Sequence, residues 1–203
     1  MDVRNLGFLA SHRGSNFQSV VDACRSGELA ASPAVVISNN GRAFVLERAR
    51  QQGIPAFFLN GKTHPDPAVL DQAIVDTLNE HEIDLVVLAG FLKKIGPRTL
   101  GAFRNRIVNI HPALLPRYGG RGMFGENVHK AVIANGESET GVTIHLVDGE
   151  YDHGPVLAQR RMAVNADDTA ESLAQRLIDI EHSFLVETLG DIISGTIPLP
   201  NGA

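Results

Sequence analysis

The 203-residue chain is 43% hydrophobic and 20% charged, a balance that suits one folded α/β domain and excludes a disordered or fibrous architecture. Its 18 basic and 23 acidic residues give a formal net charge of −5, so no overall electrostatic drive toward nucleic acid or an acidic membrane exists. Cys24 is the single cysteine; without an internal disulfide partner or a zinc-type cysteine pair, a reducing compartment is the simplest setting. The amino-terminal apolar run is too short for a signal sequence or a membrane span, so a cytoplasmic protein with a single domain over residues 1–203 is expected.

Short apolar runs rich in β-branched residues at 6–10, 35–38, 56–59, 85–89 and 107–110 predict strands. Between them, residues 17–24, 44–52 and 68–82 predict helices; in the last, Leu70, Ile74 and Leu78 recur every four residues along one face. This alternation implies a parallel sheet with crossover helices. PALLPRYGGRGMFGEN, after His111, is too rich in Pro and Gly for a regular element and reads as a loop over a site. Residues 128–135 read as a helix, 141–147 and 156–164 as two strands around a turn, 170–193 as a long amphipathic helix, and IPLPNGA as a frayed tail.

Four segments carry chemistry. SHRGSNFQ, residues 11–18, leads from the first predicted strand into the first predicted helix. Gly14, Ser15 and Asn16 there would cradle a phosphate on free N–H groups at the positive helix end, or merely turn and cap the chain. AGFLKKIG, residues 89–96, follows a buried-type strand at its carboxyl end, where ligands bind in an open α/β sheet, so Lys93 or Lys94 would meet an anion; a solvated helix start is the plain alternative. In NIHPALLP, Asn109 and His111 are two residues apart and project to one side of an extended backbone. That pair suits holding an oxyanion and moving a proton. VDGEYDHGPV supplies Asp148, Glu150 and Asp152, one of which would orient His111 and support its imidazolium, although Asp148 before Gly149 also reads as a turn. His145 and His153 with Asp152 lack metal-ligand spacing, so no metal is expected, and no G-x-S-x-G elbow points to a serine hydrolase.

Taken in order, GSN, LAGFLKKI, NIHPALLP, DGEYDHGP and IEH resemble the folate-dependent phosphoribosylglycinamide formyltransferases, over nearly the whole chain. The resemblance implies a Rossmann-like open, mostly parallel sheet with helices on both faces, in a monomer or homodimer. It implies transfer of the formyl group of 10-formyltetrahydrofolate to the amine of glycinamide ribonucleotide in purine biosynthesis. Under it Asn109, His111 and Asp152 are catalytic: Asn109 and a protonated His111 hydrogen-bond the oxyanion, while Asp152 holds His111 and a proton-relaying water. Gly14, Ser15 and Asn16 take the phosphate, and Pro112 and Glu181 the rest of the ribonucleotide. Leu88, Leu92, Lys93, Ile95, Asp148 and Tyr151 take the folate, and Gly14→Val is expected to weaken phosphate binding alone. Two features depart from the family: His12 and Arg13 stand where a small residue and a glycine are usual, and the loop at 117–127 is longer. The rival readings are an N-formyltransferase for a nucleotide-linked amino sugar, a formyltetrahydrofolate hydrolase, and a folate- or nucleotide-binding protein without catalysis.

Overall fold

The computed structural model describes residues 3–200. Seven strands, β1 (Asn5–Leu9), β2 (Ser32–Ser38), β3 (Ala56–Phe58), β4 (Leu85–Leu88), β5 (Ile107–His111), β6 (Glu139–Leu146) and β7 (Val156–Ala163), form one sheet. Its order is β3-β2-β1-β4-β5-β6-β7. Six helices accompany it: α1 (Ser15–Ser26), α2 (Phe44–Gln51), α3 (Pro67–Glu80), α4 (Pro97–Ala102), α5 (Glu126–Ala134) and α6 (Ala170–Ser194).

The first five strands pair in parallel, and their continuous apolar runs follow from burial on both faces. Alternate residues divide between two cores. Phe8, Val36, Val87 and Val108 join Phe17, Leu177 and Leu185 on the side of α1, α2, α5 and α6. Leu9, Ile37, Val86 and Ile107 join Leu78 and Phe103 on the side of α3 and α4. Phe8 and Phe17 meet edge to face with ring centroids 5.0 Å apart, and each fully buried side chain of this size is worth about 1.5–3 kcal/mol. β6 and β7 then pair antiparallel to complete the sheet. The antiparallel addition places Asn109 directly opposite His145 and His111 opposite Thr143.

Local chemistry sets the element ends. Asp66 accepts from the N–H groups of Ala68 and Val69, with Pro67 pre-set for the first turn of α3. Thr169 and Ser172 cap α6 reciprocally, and Gly195 ends it in the left-handed conformation. The short helix α4 was not expected. Its amino end is capped from α3: the buried Asp71 carboxylate accepts from Arg98 N–H at 2.7 Å, Thr99 N–H at 3.1 Å and Thr99 Oγ1 at 2.6 Å. The tail expectation also needs correction, because Ile197 and Leu199 pack against the larger core and Ile197 N–H donates to the Asp191 carbonyl. Residues 201–203 of that predicted tail lie outside the described residues. No helix among the described residues is long and apolar enough to cross a membrane.

Candidate active site

The carboxyl ends of β1, β4 and β5 open on one side of the sheet, at the crevice between β1 and β4 where the chain reverses its direction of travel across the sheet. A cavity of about 510 Å³ lies there. It brings together, from five separate segments, Asn16, Leu88, Leu92, Lys93, Ile95, Asn109, His111, Pro112, Asp148, Tyr151, Asp152 and Glu181. Of the residues singled out from sequence, Gly14 and Ser15 do not line it. Gly14 turns the chain into α1 with φ 70°, and a side chain there would run into Val45 of α2. Its first task is therefore a close approach of two helix ends.

β5 carries Asn109 and His111 on the face shared with Ile107, as their spacing predicts. Thr143 holds the chain beyond them: its hydroxyl donates to the Ala113 carbonyl at 2.6 Å and accepts from Leu115 N–H at 3.0 Å. The turn between β6 and β7 supplies Asp152, whose φ of 53° is a left-handed conformation that Asp tolerates better than most residues. Its carboxylate accepts from Gly120 N–H at 2.9 Å. His111 Nδ1 lies 3.5 Å from Asp152 Oδ1, and their side chains are only 4% and 12% exposed.

The hydrogen-bond partners fix the protonation pattern. His111 Nε2 is 2.8 Å from the Tyr118 carbonyl, which only accepts, so Nε2 carries the hydrogen and Nδ1 faces the carboxylate. Likewise His145 Nδ1 donates to the Leu146 carbonyl at 2.8 Å. His145 Nε2 therefore accepts from Asn109 Nδ2 at 3.0 Å, and Asn109 Nδ2 also stands 3.4 Å from Asp152 Oδ1. Burial pushes the His111 imidazole below its ordinary value, outweighing the opposing pull of Asp152. That shift favours the neutral ring at rest, with Nε2–H on the Tyr118 carbonyl and the bare Nδ1 beside the Asp152 carboxylate. Burial pushes the Asp152 carboxyl up, but His145, His111 and Gly120 N–H together hold it below the usual carboxylate range.

Glu181 of α6 reaches the same cavity and accepts from Asn16 Nδ2 at 3.0 Å. Burial raises its carboxyl, only partly offset by that bond, while the buried Asn16 Oδ1 has no partner among the described residues. Asp148 makes the turn foreseen for it, accepting from Glu150 N–H at 2.7 Å and pairing with exposed His153 at 2.9 Å. His145 and His153 thus point to different partners, and among the described residues no group of three or more His, Cys, Asp or Glu is arranged to hold a metal ion. Sequence reasoning missed His129 of α5, which is buried at the cavity wall with its Nδ1 unpartnered among the described residues. Burial, then the nearby His111, lowers its imidazole. It also missed Arg121, and gave His145 no role beside Asn109; the strand register is the signal that places the latter.

Beside this cavity, and sharing Phe91, Leu92, Lys93 and Lys94 with it, lies a second one of about 1180 Å³. Its lining includes His12, Arg42 and Lys62 and no Asp or Glu.

An open α/β sheet carries the buried His111 and the half-buried Asn109 and Asp152 to one cavity, and the sequence comparison specifies the class. Residues 4–189 match the Formyl transferase family, and the chain belongs to that family. It is 44% identical over 187 residues to a phosphoribosylglycinamide formyltransferase of Vigna unguiculata, covering 92% of this chain but only 60% of that protein. A phosphoribosylglycinamide formyltransferase of Bacillus subtilis is 32% identical, with 94% of this chain and 95% of that protein covered. In three dimensions the chain is similar to the phosphoribosylglycinamide formyltransferase of Bacillus halodurans, with a TM-score of 0.88, 35% identity, and 95% of this chain and 97% of that chain covered.

Proposed function

We propose that this protein is a phosphoribosylglycinamide formyltransferase, moving the formyl group of 10-formyltetrahydrofolate onto the amine of glycinamide ribonucleotide. The observation that carries the reading is the convergence of Asn109, His111 and Asp152, within 3.4–3.5 Å contacts, on a cavity that Asn16 and Glu181 also line. Relatives bearing that name over nearly their full length support it. Leu88, Leu92, Ile95, Val147 and Tyr151 supply apolar lining suited to a pterin. Lys93 and Lys94, on the wall shared with the acid-free cavity, suit the donor's carboxylate tail.

In the proposed reaction the acceptor amine attacks the formyl carbon, a C–N bond forms, and the carbonyl oxygen becomes an oxyanion. Asn109 Nδ2 donates to that oxygen with the hydrogen not held by His145. His111, neutral throughout, adds its Nε2–H by releasing the Tyr118 carbonyl, and the Asp152 carboxylate beside its Nδ1 steadies the polarised ring as that hydrogen bond forms. The bond from the formyl carbon to the folate nitrogen then breaks. Asp152, through a water, passes the proton lost by the amine to that leaving nitrogen. Asn16 Oδ1 and Glu181 take donors of the ribonucleotide.

Steady-state kinetics of Asp152→Asn test the reading. The carboxylate is needed for the relay and not for folding of the sheet, so the expected result is a large fall in kcat with KM values little changed. A variant that turns over at near the wild-type rate would remove Asp152 from the chemistry.

A further inference from the structure

We propose that Arg121 binds the phosphate of the ribonucleotide acceptor, an assignment that rests on the proposed function and adds a residue to it. The loop carrying Arg121 is anchored immediately before it. Arg117 pairs with Glu137, and the Tyr118 hydroxyl donates to the same carboxylate at 2.6 Å. Gly120 N–H donates to Asp152 at 2.9 Å. A side chain at Gly119 would press on Leu115 and come within 3.1 Å of Asp152 Cβ, so the chain is glycine where it lies against the carboxylate. Arg121 is the next residue after this contact. Its side chain therefore starts beside the group that faces His111.

Arg117 has an acid partner, whereas Arg121 has none among the described residues, although it lines the same cavity as Asn16 and Glu181. An unpaired guanidinium at a reaction cavity is a ready partner for a dianion, because its planar donors match two phosphate oxygens at once. Of the four acids that line the cavity, Asp152 accepts from Gly120 N–H, Asp148 pairs with His153, Glu181 accepts from Asn16, and Glu150 acts electrostatically on His153. The flanking Gly120 and Gly122, at φ 94° and 91°, hold backbone conformations that other residues rarely adopt. They carry Arg121 into the lining of the cavity that Asn16, at the start of α1, also lines. Lys93 and Lys94 lie on the wall toward the second cavity, so the two anionic ends of the two substrates meet different cations.

Calorimetric titration with ribose 5-phosphate and with ribose tests this without requiring formyl transfer. The wild-type protein, Arg121→Ala and Arg121→Lys would be compared, with KM values for both substrates alongside. Arg121→Ala should weaken ribose 5-phosphate about 10- to 100-fold, the scale of a charge-assisted hydrogen-bond pair. Ribose binding and the donor KM should be unchanged, and Arg121→Lys should restore part of the loss. That pattern supports the assignment even if glycinamide ribonucleotide proves not to be the acceptor. The assignment is overturned if ribose 5-phosphate binds Arg121→Ala as it binds the wild type, if the donor KM rises as much as the acceptor's, or if the wild type binds ribose 5-phosphate no better than ribose.

Discussion

Asn109 has two amide hydrogens and only one good partner for them. His145 Nε2 takes one at 3.0 Å, and the second meets Asp152 at a long 3.4 Å, so it is available to an oxyanion at little cost. Asn109→Ala should lower kcat by about 10²–10³ and leave the KM values nearly unchanged, since removing one oxyanion donor acts on the transition state. Stopped assays at saturating substrate would show it. A second outcome at this scale concerns His111. Because burial lowers its imidazole while Asp152 pulls the other way, NMR titration should place His111 below the ordinary value of 6.5, and Asp152→Asn should lower it further. A ring that titrates above 6.5 would contradict the neutral resting state. Asn109 and His111 were legible in the sequence because a spacing of two on a strand fixes a shared face. His145 was not, since only the antiparallel register sets it opposite Asn109. His129 and Arg121 gave no signal at all, one behind a Gly-rich loop and the other within it.

Strands and long helices were readable because each repeats an apolar pattern over enough residues to fix a face. The six-residue α4 is too short for that and takes its cap from a residue 26 positions before its first turn, as Asp71 and Pro97 are numbered. Asp71→Ala should therefore cost about 1–3 kcal/mol of stability by leaving the N–H groups of Arg98 and Thr99 without their acceptor. Urea denaturation would measure it, and an unchanged midpoint would mean that α4 contributes nothing to the fold. The loop before α1 corrects an expectation at the same scale. Gly14→Val was expected to weaken phosphate binding alone, but φ 70° and the closeness of Val45 make any side chain there a disturbance of α1 against α2. The expected result is now loss of both substrates together with a lower melting temperature. Binding of the donor unchanged at full stability would restore the original expectation.

Over the whole molecule, burial lowers three imidazoles, those of His111, His129 and His182. Each stays neutral in the folded protein at a pH where the unfolded chain would bind a proton. As pH falls below 6.5 toward the lowered folded-state values, the unfolded state takes up more protons and stability drains away. Exposed His153 is shifted upward by Asp148 and opposes this weakly. Thermal melts should show the melting temperature falling from about pH 7.5 to about pH 5.5, with the raised Glu181 carboxyl opposing the three rings and the other carboxylates not yet titrating. A flat profile over that range would mean that the three rings are hydrated in solution.

The Asn109, His111 and Asp152 cavity is where the two proposed substrates would meet. Release of tetrahydrofolate from 10-formyltetrahydrofolate by the purified protein measures this directly, with glycinamide ribonucleotide, with amino-sugar nucleotides, and with water as the only acceptor. The predicted result is release that depends on glycinamide ribonucleotide and stops when it is omitted. Release with another acceptor or with water alone would contradict the substrate, and no release under any condition would contradict the enzyme.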